Sequence, residues 1–411
     1  MGIVVPAGAG WDFANFYDAG QRVAAGQLKD LYDPGSRIAG GASQGTMRFW
    51  GPPISALFYV PLAWFPASTA LVLFKIENVL AFAATFAVLF AFCRRFVSND
   101  PAARLRFTAL FAFLCLIFQP FWTVFRVGGQ TTPTVLLLLT LALICHIRLR
   151  DWWSSALVVL ATLVKPALAP ALLCLLCLSG RSFAVKTFAL LAVIGLASLA
   201  LFGWPLHMAF LDLMRSGVQS TFPWYYNSSL YILADAVSTA LGSGPDAASP
   251  TRLFTALVFL IKTVVLVTIV FLVLRSRAQR WTVAARRHFT FVVSILFFLW
   301  WSMTLWDHYL ELLFIPLIYL VASDQWFSRR ARILIGAMFL LSLGQNLIFV
   351  SWLRSHIESD WRSLLLAVTV LKAGPLLVML TFVWRHYPEL FDSYAAPAWN
   401  QILIPARERR S

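Results

Sequence analysis

Charged residues are scarce in this chain of 411 residues. They make up 12% of the sequence, against roughly 25% in soluble proteins. Hydrophobic residues make up 60% of it. This composition excludes an ordinary soluble domain and indicates an integral membrane protein.

Acidic residues are scarcer than basic ones, with 18 Asp and Glu against 33 Lys and Arg, which gives a net charge of +15. An excess of positive charge is typical of nucleic-acid binding, but also of the cytoplasmic loop ends of membrane proteins. The distribution of the basic residues along the chain therefore decides between a nucleic-acid partner and a membrane partner.

Cysteines are few, and all five lie in or at the ends of apolar runs, so no disulfide framework is expected. Cys174 and Cys177 have the spacing of a metal or redox motif, but no second ligand pair accompanies them, so we interpret them as small apolar residues. The first ten residues lack the basic start and apolar centre of a signal peptide, and no internal repeat is visible. One membrane domain is the expected organisation.

Long apolar runs are what the sequence has in abundance. A spanning helix needs about 20 apolar residues, or 17 at least. The run from 152 to 179 is interrupted by Lys165-Pro166, which predicts two short segments that meet there. The other runs are 68–93, 105–121, 131–147, 187–203, 251–274, 289–305, 309–323, 333–350 and 363–384. The fold class predicted is all-α, a polytopic helical bundle with about 11 membrane segments.

The basic residues orient these segments. We assume that the cytoplasmic segment ends are those after residues 93, 147, 179, 274, 323 and 384. On this assumption, 20 of the 33 basic residues lie on the cytoplasmic side. The positive-inside rule then accounts for the charge without nucleic acid, and membrane lipids are the expected surroundings. We predict a multi-pass protein of the cell (inner) membrane with its polar loops outside.

This orientation predicts three parts of the chain. Residues 1–67 form a first extracytoplasmic loop, 68–384 the transmembrane domain, and 385–411 a basic cytoplasmic tail. The apolar stretch 52–66 measures about 22 Å as a helix, which is short of a core of about 30 Å, so we interpret it as interfacial or re-entrant. If it crossed the membrane instead, Asp12 would lie inside.

Asp12 is the first candidate for chemistry. It lies between Trp11 and Phe13, with Tyr17 one turn on, and such aromatic residues favour the membrane surface. A carboxylate that is partly desolvated there can act as a general base toward a hydroxyl. The alternative is a loop aspartate that caps a short helix from Phe13 towards Leu28.

Two polar junctions between apolar segments follow. Arg126, Gly128, Gly129 and Gln130 precede the segment 131–147, and this pattern is typical either of a helix start that binds an anion or of a tight turn. Lys165 is costly among apolar residues unless it reaches an anion such as a lipid phosphate. The alternative for Lys165 is an ammonium that snorkels to the membrane surface.

The later junctions carry aromatic and polar residues together. Tyr225 and Asn227 belong to an outer loop whose composition suits sugar binding or an interfacial aromatic belt. Trp306 and His308 lie between two apolar segments, where ionisable residues often serve function. With no paired acidic motif and no second histidine near His308, we predict no metal and no cofactor.

In this order, these residues resemble glycosyltransferase family 87, whose members are polytopic enzymes of the C-type glycosyltransferase superfamily related to polyprenol-phosphate-mannose-dependent mannosyltransferases. The resemblance runs from about residue 10 to residue 325. It rests on Asp12-Phe13 with Phe16-Tyr17, Gly26 with Leu31-Tyr32-Asp33, Pro52-Pro53 with Pro61-Leu62, Gly129-Gln130, Lys165-Pro166, Asn227-Ser228-Ser229-Leu230, and Trp306 with His308-Tyr309.

The resemblance implies a helical bundle of the C type and an extracytoplasmic site. It implies Asp12 as the catalytic base, Lys165, His308 and Arg126 as ligands of the donor phosphate, and a site lined by Gln130, Asn227, Tyr225 and Trp306. The donor would be a polyprenyl-phosphate sugar, by family pattern mannose, and the acceptor a lipid or glycan hydroxyl. A transmembrane helix precedes the aspartate in that family, so we expect either a shortened start or a tail of 67 residues translocated by 68–93. A transporter or anion-binding membrane protein, and a structural membrane subunit, are the alternatives from other classes.

Overall fold

The computed structural model describes residues 11–33, 48–97, 99–126, 129–218, 227–241, 252–278, 281–316, 333, 336 and 373–382. Across these residues every regular element is helical, and the one β-type pairing among them is an isolated bridge between Asn227 and Trp306. The prediction of an all-α chain is confirmed.

Among the described residues, eleven α-helices lie between residues 11 and 301. They are α1 (Trp11–Ala24), α2 (Ala67–Cys93), α3 (Pro101–Ile117), α4 (Gln119–Arg126), α5 (Thr132–Ile147), α6 (Asp151–Val164), α7 (Ala169–Leu178), α8 (Arg181–Val218), α9 (Tyr231–Ala240), α10 (Arg252–Ala278) and α11 (Val283–Trp301). Shorter 3-10 helices cover Leu28–Asp30, Pro53–Trp64, Arg94–Phe96, Pro166–Leu168 and Asp307–Leu313.

Four of the described helices are long and apolar enough to cross a membrane. They lie at Ala67–Cys93, Arg181–Arg215, Arg252–Arg277 and Val283–Trp301. Five shorter apolar helices accompany them, including α5 and α6. The expected number of about 11 segments stays a prediction, because 317–323, most of 333–350 and more than half of 363–384 lie outside the described residues.

Two details of the expected segments are borne out by the backbone. The run from 152 to 179 is divided at Lys165, where α6 ends, because a residue before proline is disfavoured in the α conformation. The stretch 52–66 forms a 3-10 helix of 12 residues, which at 2.0 Å per residue reaches about 24 Å, too short for a membrane core of about 30 Å.

One boundary prediction is wrong. We expected the membrane segment 187–203 to end at residue 203, but α8 resumes after a break there and continues to Val218. The break is at Gly203, whose backbone adopts φ 74° and ψ 162°, a conformation open to glycine alone, and Pro205 follows it. The Gly-Trp-Pro sequence therefore kinks the helix instead of ending it.

The chain divides into two compact units. The first comprises Met1–Val88, Phe121–His146 and Arg150–Gln219, and the second Leu89–Pro120, Ile147–Leu149 and Ser220–Ser411. The division into a loop 1–67, a bundle 68–384 and a tail 385–411 stays a prediction, and the tail lies outside the described residues.

In the first unit, aromatic side chains of α1 pack against those of neighbouring elements. Phe13 contacts Phe74 of α2 with ring centroids 5.5 Å apart, and Phe16 stacks on Tyr59 at 4.8 Å. The Tyr17 hydroxyl donates to the carbonyl of Phe65 at 2.6 Å. These contacts fix the short helix that carries Asp12.

Candidate active site

Asp12 lies in the first turn of α1. The helix begins at Trp11, one residue before it, so Asp12 is a helical residue whose negative charge suits the amino-terminal end of the helix dipole. The residue is half-buried. The alternative drawn from the sequence was a helix from Phe13 towards Leu28. A helix does form there, but it begins at Trp11 and ends at Ala24.

Gln130 reaches Asp12 from the start of α5. Its side chain hydrogen-bonds the Asp12 carboxylate, and only 4% of the residue is exposed. The preceding Gly129 has φ +84°, and a Cβ there would lie 3.1 Å from the Phe74 ring and 3.5 Å from the Phe13 Cβ. Glycine at 129 therefore provides both the left-handed turn and the space that let Gln130 approach α1.

Lys165 completes the chain of contacts. Its ammonium donates to Gln130 Oε1 at 2.5 Å, while the amide nitrogen of Gln130 is the group that donates to Asp12. Lys165 leaves the end of α6 in an extended conformation, with φ −138° and ψ 86°, set by Pro166. The three residues Asp12, Gln130 and Lys165, which come from distant parts of the sequence, form one hydrogen-bonded line, the base triad.

Two opposing influences set the charge of Asp12. Burial raises the pKa of its carboxyl, while the positive charge of Lys165 and the hydrogen bond from Gln130 act in the other direction. The net effect is a pKa above the ordinary value of 3.8. A carboxylate of raised pKa is a stronger base, and general-base catalysis requires this.

A second half-buried carboxylate, Glu77, lies in the first unit, on α2. Glu77 of α2 accepts a hydrogen bond from the hydroxyl of Thr134 in α5. Burial of Tyr59 raises the pKa of its hydroxyl, and the negative charge of Glu77 raises it further, so Glu77 and Tyr59 are close. The signal in the sequence was a group of polar residues, Lys75, Glu77 and Asn78, inside an apolar run.

Asn227, Trp306 and His308 come together in the second unit. Asn227 and Trp306 form the antiparallel bridge, and Asn227 Oδ1 accepts the backbone N–H groups of Ser229 at 3.0 Å and Leu305 at 2.9 Å. His308 is 6% exposed, and its ring centroid lies 4.7 Å from that of Tyr309. Asn227 thus joins two chain segments, a use that its sequence context did not reveal.

Two further polar groups of this unit were not singled out as site residues. The Ser228 hydroxyl donates to Asp307 Oδ1 at 2.5 Å, and Glu311 is fully buried one turn beyond. Arg126 ends α4, but its side chain is not described, and Tyr225 lies outside the described residues. The roles of Arg126, Tyr225, Asn227, Trp306 and His308 in substrate binding stay predictions.

Comparison with known proteins identifies the family. The family model of glycosyltransferase family 87 matches residues 49–300, more than half of the chain. This chain belongs to glycosyltransferase family 87. It is therefore a membrane glycosyltransferase that uses a sugar donor and an acceptor.

The family 87 match contains Gln130, Lys165 and Asn227, whereas Asp12, Trp306 and His308 lie outside it. The resemblance recognised in the sequence is confirmed at the level of the family. A search of the curated proteins and a search of the solved structures each find no match.

Proposed function

We propose that this family 87 enzyme transfers a sugar from a polyprenyl-phosphate donor to an acceptor hydroxyl on the extracytoplasmic side of the inner membrane. The base triad of Asp12, Gln130 and Lys165 is the observation that carries the proposal. By the pattern of the family, the sugar is mannose and the acceptor a lipid or glycan.

Asp12 serves as the general base in this reaction. Its carboxylate takes the proton of the acceptor hydroxyl as that oxygen attacks the anomeric carbon of the sugar. The bond from the anomeric carbon to the phosphate oxygen breaks on the opposite face, and polyprenyl phosphate leaves with the electron pair. The anomeric configuration is inverted, and one carboxylate suffices because the phosphate leaves without a proton.

Lys165 has two parts in the proposal. Through Gln130 it holds Asp12 in one orientation and favours its ionised form. An ammonium has three donors, so Lys165 can also offset the charge that develops on the departing phosphate. Arg126 and His308 are proposed as further phosphate ligands, and Tyr225, Asn227 and Trp306 as lining of the sugar site.

The Asp12→Asn variant tests the proposal. We expect it to lose transfer from a polyprenyl-phosphate sugar by at least 100-fold, the lower end of what general-base catalysis contributes. The measurement is sugar transfer by purified enzyme supplied with a panel of polyprenyl-phosphate sugars. Asp212→Asn is the matched control, because Asp212 is exposed and pairs with Arg215.

Folding of the Asp12→Asn variant is checked separately. The pKa of Asp12 is raised in the folded protein, so its contribution to stability is present below the unfolded pKa and lost as the pH rises through the folded one. Above the folded pKa the ionised carboxylate no longer provides it, so we expect the variant to unfold there at a temperature no lower than that of the wild type. Normal turnover by a well-folded Asp12→Asn enzyme would refute the mechanism.

A further inference from the structure

Lys75 and Asn78 lie one turn apart in α2. Lys75 is 8% exposed, and within the described part of the chain no carboxylate pairs with it and no hydrogen-bond acceptor contacts it. Asn78 is 0% exposed, and neither its amide oxygen nor its amide nitrogen has a hydrogen-bond partner among the described residues. The nearby Glu77 bonds Thr134 instead, and residues two apart on a helix do not face each other.

This turn of α2 borders the base triad. Phe74, the residue before Lys75, contacts Phe13 of α1 at 5.5 Å and lies against Gly129. At 100° per residue, Asn78 lies about 40° around the helix axis from Phe74, and Lys75 about 100°. Asn78 therefore lies between the face that covers α1 and the direction of Lys75.

The start of α5 offers further hydrogen-bond donors next to this turn. Phe74 lies against Gly129, and Glu77 bonds Thr134, so the start of α5 lies beside residues 74–77 of α2. The hydroxyls of Thr131 and Thr132 are buried, and in the part of the chain that the structure describes they have no hydrogen-bond partner. A helix start also presents backbone N–H groups and the positive end of its dipole.

The chemistry of these groups selects an anion. An ammonium in an apolar helix is costly without a negative partner, and a buried amide is costly without a hydrogen bond. An ammonium, an amide N–H and hydroxyl donors suit the oxygens of a phosphate ester. Lys165 is a cation and cannot be the negative partner of Lys75. Its own contact is with Gln130, through which it acts on Asp12.

We propose that Lys75 and Asn78 form a binding site for the phosphate group of the lipid-linked substrate, beside the base triad. This inference rests on the proposed function. It adds a cation from α2 to the phosphate ligands already proposed, Lys165, Arg126 and His308. The same chemistry would also accept the phosphate of an ordinary lipid headgroup, so the experiment compares the two sources.

The test measures binding, so that it does not depend on transfer. A short-chain polyprenyl phosphate is titrated against purified full-length protein in detergent, for the wild type and for Lys75→Gln, Lys75→Arg and Asn78→Asp. We expect Lys75→Gln and Asn78→Asp to weaken binding at least 10-fold, the first by removing the positive charge and the second by adding a negative one. Lys75→Arg should retain most of the affinity.

Lys262→Gln is the matched control. Lys262 also lies within an apolar helix, α10, but its ammonium is held over the rings of Tyr231 and Trp301, at 6.0 and 5.3 Å. Its replacement should leave polyprenyl phosphate affinity within twofold of the wild type. Thermal unfolding of each variant verifies that the compared proteins are folded.

Competition identifies the source of the phosphate. Unphosphorylated polyprenol and inorganic phosphate should compete poorly, and phosphatidylglycerol should compete much more weakly than polyprenyl phosphate. Equal competition by phosphatidylglycerol would overturn the assignment to the substrate. Affinity within twofold of wild type in folded Lys75→Gln and Asn78→Asp would overturn the site.

The outcomes separate this inference from the proposed function. Absence of sugar transfer by the wild type, with polyprenyl phosphate binding that depends on Lys75, would refute the transfer reaction alone. Normal transfer with binding that does not depend on Lys75 would refute the phosphate site alone.

Discussion

The Asp12 carboxyl shows how much one residue depends on its surroundings. In the sequence it is a single aspartate among aromatic residues, and on residue type alone a helix-capping role is the more common one. In the structure its pKa is raised by burial and held back by Lys165 and Gln130. Neither of these partners could be assigned to it from spacing, because they follow it by more than 100 residues.

The pH dependence of transfer should report this arrangement. A base works only when deprotonated, so the raised pKa predicts that activity falls with decreasing pH at a higher pH than an exposed aspartate would give. Lys165→Gln removes the charge that lowers the pKa, and the acidic limb should move to higher pH. The measurement is kcat/KM against pH for the wild type and the variant.

Lys186→Gln is the control for this prediction. Lys186 pairs with Asp151 at 3.7 Å and is not among the groups that shift the pKa of Asp12. Its acidic limb should coincide with that of the wild type. An unchanged limb in Lys165→Gln would show that Asp12 does not titrate as the base.

At the scale of elements, α1 is held by the 3-10 helix Pro53–Trp64. This 3-10 helix supplies Tyr59, whose ring stacks on Phe16 and whose backbone touches Gly20. The apolar stretch 52–66 was ambiguous in the sequence, since hydrophobicity alone does not distinguish a short span from a support for another helix. It forms one of the shorter apolar helices and not one of the four that are long enough to cross a membrane, so its interfacial or re-entrant placement stays a prediction.

Gly20→Ala should displace α1. A Cβ at this position would lie 2.4 Å from the Tyr59 carbonyl oxygen, so the backbone of one element has to move. We expect a loss of about 1–3 kcal/mol in the free energy of unfolding, typical of overpacking, with a lower transfer rate because Asp12 shifts. Thermal unfolding in detergent and sugar transfer are the two measurements.

Gly195→Ala provides the comparison for this substitution. Gly195 lies in α8, and nothing lies within 4 Å of a Cβ built there. Alanine should be tolerated at 195 with unchanged transfer. Equal stability of the two alanine variants would contradict the close packing of α1 on the 3-10 helix.

At the scale of the whole molecule, the arrangement across the membrane is the prediction that most needs testing. The distribution of basic residues predicts that the loop that holds Asp12 lies outside and the end of α10 inside. A cysteine introduced at Lys29, which is exposed, should react with a membrane-impermeant maleimide in intact cells. A cysteine at the exposed Arg277 should react only after the membrane is permeabilised.

The reverse labelling pattern would overturn the orientation. It would place Asp12 in the cytoplasm. A polyprenyl-phosphate sugar on the outer side of the membrane would then be excluded as the donor. A cysteine at Ser36, in the same predicted loop, provides a second position, which should label as Lys29 does.

Local features of the sequence were enough to assign the class of the protein. Scarce charge, long apolar runs and the order of short motifs were enough for an all-helical membrane protein and for its family, because hydrophobic length and residue identity are local properties of a chain. Breaks at Lys165-Pro166 were also foreseeable, since proline restricts the residue before it.

Tertiary structure decided which polar residues meet. It joined Asp12, Gln130 and Lys165 in one line, gave the Asn227 side chain to two backbone N–H groups, and left Lys75 and Asn78 unpartnered among the described residues. Such contacts depend on how helices distant in sequence pack against each other. That packing is made by apolar faces, so the local sequence does not predict which polar residues it brings together.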